Sequence, residues 1–211
     1  MTDCHHESKL KVNFRIDIPL DVTPIRCAWC GSDPLYVAYH DCEWGMPERD
    51  PRALWEKLML DGFQAGLSWI TILRKREAFR AAFAGFDPAI IARWGEPEVA
   101  RLLTDAGIVR HRGKIEATIG NARAFLAIEE RESFSDFLWR HVDGRPVQNR
   151  FAAMSEIPTE SAAARALSKD LKAHGFRFCG PTITYAFMQA TGMVNDHLVT
   201  CTAHDRCAAL G

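Results

Sequence analysis

The chain has 211 residues, 47% of them hydrophobic and 25% charged, with a formal net charge of -1. That length is enough to bury a sizeable core. No window approaches the roughly 20 unbroken apolar residues of a membrane helix, and Met1 to His6 do not look like a signal peptide, so a cytoplasmic protein without membrane partners is expected. The near-neutral charge argues against a globally basic nucleic-acid binder and leaves any grip on phosphate to local clusters.

Residues 1–25 differ in character from the rest. Val12, Phe14, Ile16, Ile18, Leu20 and Val22 alternate at the period of a strand, which Pro19 confines to an edge. From Asp50 onward helix signals dominate. Asp50-Pro51, Asp87-Pro88 and Glu96-Pro97 read as helix starts, because a carboxylate caps the first N–H groups and proline tolerates the first turn. Gly62 closes the first of these helices and Gly107 the third. One helix is expected over 68–83 before Gly85, others over 111–130 and 133–142, and a turn at Asp143-Gly144. Thr159 or Ser161 opens a helix that Gly175 stops, and Gly180-Pro181-Thr182 opens the next, which ends near Gly192. The pattern predicts an all-α fold: an N-terminal extension over 1–25, one helical domain over 26–205 and a tail over 206–211. Residues 175–180 then join two helices into a hairpin. The second helix, starting at Gly180, presents free backbone N–H groups suited to a phosphate.

Seven cysteines are many for a cytoplasmic chain, and an odd number does not close into disulfides, so metal binding is the better reading. His197 and Cys201 share one face if their segment is helical, and Cys27 and His40 complete a set of two thiolates and two imidazoles. That is a closed tetrahedral zinc site of the structural kind, joining the two ends of the chain. From spacing alone, Cys27 and Cys30 with Cys201 and Cys207 compete for the same ion, and Cys4, His5 and His6 offer a weaker terminal tract. Arg74, Lys75 and Arg76 form one basic cluster and Arg110, His111, Arg112 and Lys114 another; either reads as a solvated face or a phosphate contact. Asp61 stands in the apolar run Leu58-Met59-Leu60-Asp61-Gly62-Phe63, where a charge must find a partner or a task.

Several strings of this chain resemble those of the bacterial 3-methyladenine DNA glycosylase I family. They are Asp33-Pro34-Leu35-Tyr36-Val37-Ala38-Tyr39-His40-Asp41, Glu43-Trp44-Gly45, Gln64-Ala65-Gly66-Leu67-Ser68-Trp69, His111-Arg112-Gly113-Lys114 and Asn195-Asp196-His197, within a match running from about 26 to 201. The resemblance implies a helix-hairpin-helix DNA glycosylase fold with a structural Zn2+ held by Cys27, His40, His197 and Cys201. It also implies a base pocket of Trp29, Tyr36, Tyr39, Trp44 and Trp69, with Asp61 as the carboxylate that reads the adenine edge. Gly180, Thr182, Arg112 and Lys114 are then the expected contacts to the DNA backbone. The implied activity is hydrolysis of the N-glycosidic bond of 3-methyladenine in alkylated double-stranded DNA, by a monomer, leaving an abasic site and the free base.

The sequence departs from that family in places. Asp61 stands where the family commonly has glutamate and Phe63 where it has glutamine, and Arg177-Phe178 precede Gly180 where a tight Gly-x-Gly would turn the hairpin. Asp196 is a second candidate carboxylate, or else support for the neighbouring His197. The motifs place no lysine in the pocket, so no lyase activity is expected. The rival reading is a protein that binds alkylated DNA without cutting it, its chemistry lost with the Asp61 change.

Overall fold

A computed structural model describes residues 24–210. The alternating segment over 12–22 and the Cys4-His5-His6 tract lie outside these residues. The fold is mostly helical, as expected. Helix α1 (Pro34–Cys42) is capped by Asp33, whose carboxylate accepts from the N–H groups of Leu35 and Tyr36. It was not anticipated, although Asp33-Pro34 carries the same signal as the starts that were. Helix α2 (Pro51–Gln64) is capped by Asp50 through the Ala53 N–H. It runs two residues past the expected stop because Gly62 sits in ordinary helical backbone facing the Phe178 carbonyl.

The single helix expected over 68–83 is two, α3 (Trp69–Leu73) and α4 (Arg76–Ala82). The chain turns at Arg74 and Lys75, and Lys75 Nζ donates to the Ala106 and Gly107 carbonyls, tying the turn to the next segment. This bend lets Phe79 and Phe83 pack on Phe63 of α2, with ring centroids 4.7 and 5.5 Å away. Each such buried ring stabilises the fold by roughly 2–3 kcal/mol, more than a few extra helical hydrogen bonds return, so packing decides the break. Helix α5 (Pro88–Ile91) is capped by Asp87 as expected. Helix α6 (Glu96–Thr104) stops before the predicted Gly107, because the Asp105 side chain takes up the Gly107 N–H and turns the chain. Helices α7 (Arg112–Glu129) and α8 (Phe134–Trp139) follow, α8 tightening into a 3-10 turn over Arg140–Val142 before the left-handed Asp143-Gly144 pair.

Helix α9 (Ala162–Ala173), capped by Ser161, and helix α10 (Pro181–Ala190), opened by Gly180, form the expected hairpin. Asn121 of α7 clamps its loop from both sides, donating to the Arg177 carbonyl and accepting the Arg177 N–H. Phe178 takes a left-handed φ of 56° in that loop, a conformation glycine would adopt at less cost. Two short strands, β1 (Val147–Gln148) and β2 (Val194–Asn195), pair in parallel, a small exception to the helices among the described residues. A last helix, α11 (Thr202–Ala208), crosses the boundary drawn at 205. Residues 197–201 are not helical, so the shared helix face is not what joins His197 to Cys201. A turn closed by the Cys201 N–H on the Leu198 carbonyl brings His197 and Cys201 together instead.

Candidate functional site: an aromatic cavity beside a Cys-His cluster

Trp29, Tyr36, Tyr39, Trp44 and Trp69 all line one cavity of about 360 Å³. Helix α1 supplies Tyr36 and Tyr39 one turn apart, the 3-10 turn Ala28–Cys30 supplies Trp29, and α3 begins at Trp69. Trp29 meets its neighbours edge to face, 5.0 Å from both Tyr36 and Trp44 at 61° and 62°, while Tyr36 and Tyr39 stack at 28° and Tyr39 meets Trp69 at 44°. Rings so arranged wall a space instead of filling it, and the volume falls in the range of small-molecule sites. Thr182, at the start of α10, lines the same cavity, so the hairpin's second helix begins at its edge.

Asp61 also lines the cavity, at 1% exposure. The task its charge required is shared with a residue the sequence reading missed. Lys57, one turn earlier on α2, binds Asp61 Oδ1, and its ammonium lies 3.9 Å from the centre of the Trp69 ring. The motifs placed no lysine in the pocket, and Lys57, which lies outside them, lines it. The i,i+4 spacing of Lys57 and Asp61 was the available signal. Burial raises the Asp61 pKa above its ordinary 3.8 and lowers that of Lys57 below 10.5, and in each case the partner's charge opposes the shift. Asp61 Oδ2 and Trp69 Nε1 are buried without a hydrogen-bond partner. An unmatched acceptor and an unmatched donor in one cavity are costly unless a ligand meets them.

Behind two walls of the cavity lies the Cys-His cluster. The ligand atoms of Cys27, His40, His197 and Cys201 lie within 4.8 Å of one another, and all four residues are buried. Cys201 Sγ is 3.5 Å from His40 Nε2 and 3.6 Å from His197 Nδ1, and Cys27 Sγ is 3.6 Å from His197 Nδ1. A tetrahedron with metal–ligand arms of about 2.0–2.3 Å has edges of about 3.3–3.8 Å, so the four atoms fit a zinc-sized ion. The competing set fails, since Cys30 Sγ donates to the Cys27 carbonyl and Cys207 Sγ turns toward Met46. Hydrogen bonding from Cys27 draws the Cys201 thiol down toward the thiolate, against burial and with help from His197 and His40. The far ring nitrogens are also engaged: His40 Nδ1 lies 2.9 Å from Asp41 Oδ1 and His197 Nε2 3.0 Å from the Trp44 carbonyl, which fixes both rings. Gly45 permits that approach, because a Cβ there would stand 2.8 Å from His197 Nε2. Trp29 lies 5.3 Å from the His40 ring and Trp44 4.6 Å from the His197 ring, so cavity and cluster share a wall.

The remaining candidates separate. Asp196 is fully buried and accepts from Tyr185 Oη, Gln189 Nε2 and Asn149 Nδ2 at 2.6–2.8 Å. Tyr185 and Gln189 line the cavity, so Asp196 stands behind them as support rather than as a free carboxylate. Lys114, expected at the DNA backbone, is turned inward. It is 7% exposed, and its ammonium donates to the Phe63 and Ala65 carbonyls at 2.8 and 2.6 Å, closing the C-terminal end of α2. Arg112 is exposed and holds Glu96 at 2.9 and 3.0 Å. His111 lies 6.1 Å from Phe178, so the start of α7 borders the hairpin loop.

Comparison with known proteins accords with this geometry. Residues 29–204 match the model of the methyladenine glycosylase family. The chain is 56% identical over 180 residues to DNA-3-methyladenine glycosylase 1 of Escherichia coli K12, covering 85% of this chain and 96% of that protein. It is 48% identical over 177 residues to the DNA-3-methyladenine glycosylase of Haemophilus influenzae, covering 83% and 96%. A crystal structure of a 3-methyladenine DNA glycosylase I superimposes with a TM-score of 0.84 at 56% identity, over 85% of this chain and all of the other. The Staphylococcus aureus enzyme, solved to explain 3-methyladenine recognition, gives 0.82 at 42% identity over 85% and 96%. Matches of this extent leave one assignment: the chain belongs to the methyladenine glycosylase family.

Proposed function

We propose that the protein is a base-excision repair glycosylase that draws 3-methyladenine out of alkylated double-stranded DNA and hydrolyses its bond to the sugar, leaving an abasic site. The observation that carries this reading is the aromatic cavity whose only buried carboxylate, among its described lining residues, has one oxygen without a partner. Adenine methylated at N3 in DNA is a cation, and aromatic faces attract it by about 0.5–2 kcal/mol each, whereas normal adenine gains ordinary stacking alone. The positive charge already weakens the glycosidic bond, so orientation and exclusion of water supply much of the rate. Asp61 Oδ2 accepts from the exocyclic amine. The aromatic rings, Trp29, Tyr36, Tyr39, Trp44 and Trp69, hold the base.

In this reading residues 26–208, to the end of α11, act as one helix-hairpin-helix domain, a monomer working in the cytoplasm. The hairpin holds the DNA backbone through the N–H groups at Gly180 and Thr182, with Arg112 beside it. Cys27, His40, His197 and Cys201 hold a structural Zn2+ that supplies a cross-link between distant parts of the chain and takes no part in the chemistry. No helix among the described residues is long and apolar enough to cross a membrane. The direct test is release of free 3-methyladenine from methylated duplex DNA by the purified protein. Multiple turnovers are expected, with strong loss in Asp61→Asn and Trp69→Ala; capture of a single lesion per protein without release would establish the binder instead.

A further inference from the structure

Lys57 belongs to none of the motifs that carry the family resemblance, yet its ammonium sits inside the cavity, over Trp69 and against Asp61. It also borders a second cavity of about 500 Å³ on the far side of Tyr39 and Trp69, which puts it in the partition at the back of the base pocket. An i,i+4 ion pair on an exposed helix face is ordinary. Here Asp61 is buried and Lys57 largely covered, and half of the carboxylate is unanswered: Asp61 Oδ1 takes Lys57, while Oδ2 has no partner. An ammonium has three donors, of which Asp61 uses one. The back of the cavity thus presents a hydrogen-bond donor directly beside an acceptor.

We propose that Lys57 is a specificity-determining residue that donates to a ring nitrogen flanking the exocyclic amine of the bound adenine, while Asp61 Oδ2 accepts from that amine. The amine of adenine is bordered by two acceptors, N1 on one side and N7 on the other. Methylation at N3 leaves both lone pairs free. Methylation at N1 or N7 consumes one of them, although it places the same positive charge on the nucleoside. Attraction between cation and aromatic rings cannot tell these lesions apart; a donor aimed at one ring nitrogen can. The Lys57–Asp61 pair therefore reads where the methyl group is, and the rings read that it is there.

This assignment rests on the base pocket proposed above, and the test separates the two. Wild type and Lys57→Met are titrated at mildly alkaline pH with free 3-methyladenine, 1-methyladenine and 7-methyladenine, all uncharged there, following tryptophan fluorescence. Methionine nearly matches lysine in volume, so a purely steric gate survives the change. Wild type should hold 3-methyladenine about tenfold or more above at least one of the other two, and Lys57→Met should shrink that ratio to about twofold. Equal ratios in the two proteins would overturn the assignment, including the case in which all three bases weaken together because Lys57 merely positions Asp61. Should Lys57→Met fail to fold, wild type alone decides. Adenine should bind about tenfold better than 1-deazaadenine or than 7-deazaadenine, and equal binding of all three overturns the assignment. Wild-type protein that binds none of these bases overturns the pocket itself, a result distinct from unchanged ratios.

Discussion

Lys114→Met gives a sharp test of how far geometry revises a motif. Within its string this lysine reads as a phosphate contact, whereas its ammonium is turned inward onto the Phe63 and Ala65 carbonyls. These carbonyls lie at the C-terminal end of α2, where no further turn of helix satisfies them and a positive charge meets the negative end of the helix dipole. Hydrogen bonds from a charged donor are worth about 1.5–3 kcal/mol each, and the cost of burying the ammonium removes part of the total. A net loss of about 2–4 kcal/mol is expected, which for a chain of this size lowers the melting temperature by roughly 5–15 °C. The assay is paired: urea unfolding of the variant, and the slope of log affinity for DNA against log salt. The expected result is a lower unfolding midpoint with an unchanged salt slope. A slope smaller by about 0.9 at undiminished stability would show one lost phosphate contact and refute the capping argument.

Other outcomes follow from the same geometry. Arg112→Ala removes an exposed ion pair with Glu96 and should change stability by less than about 0.5 kcal/mol, yet reduce the DNA salt slope by about 0.9; an unchanged slope removes Arg112 from the interface. Cys201→Ser, or a strong chelator, should release bound zinc measurable by elemental analysis and destabilise the protein by about 3–5 kcal/mol. Retained metal would discard the ligand set. Base binding should be bell-shaped in pH. Asp61 must be ionised and its pKa is raised, so binding falls as pH drops through a value above 3.8; Lys57 must be protonated and its pKa is lowered, so binding falls as pH rises through a value below 10.5. Lys57→Met should abolish the alkaline limb and move the acid limb upward, and an alkaline limb that persists belongs to some other group. Gly192→Ala combines a φ of 68° with a Cβ 2.5 Å from the Met46 and Pro47 backbone, and should cost about 3 kcal/mol or more; a variant melting like wild type would refute this.

The helices that sequence revealed best are those with their own punctuation. Asp50-Pro51, Asp87-Pro88, Ser161 and Gly180-Pro181 each mark a start that the structure keeps, because capping is local chemistry. The break at Arg74-Lys75 was invisible, since it is set by Phe79 and Phe83 finding Phe63, and no window of sequence contains all three rings in space. The Cys-His cluster was legible in residue type but not in local geometry: the spacing of His197 and Cys201 offered a shared helix face, and the two meet across a turn. Lys57 illustrates the remaining gap. It looks like any solvent-facing lysine of a helix, and only the packing of Trp69 over it turns it into the cavity.

The pairing of Cys27 with His197 spans 170 residues, and that of His40 with Cys201 spans 161. During synthesis the first half-site therefore emerges long before the second exists. Two early ligands alone would hold an ion weakly, so firm capture of the proposed zinc would follow, rather than guide, the folding of the helices between them. Because Trp29 and Trp44 rest on the His40 and His197 rings, a ribosome-bound or prematurely ended chain would carry most of the helices without a finished lesion-binding wall. Repair competence would then wait on the arrival of His197 and Cys201.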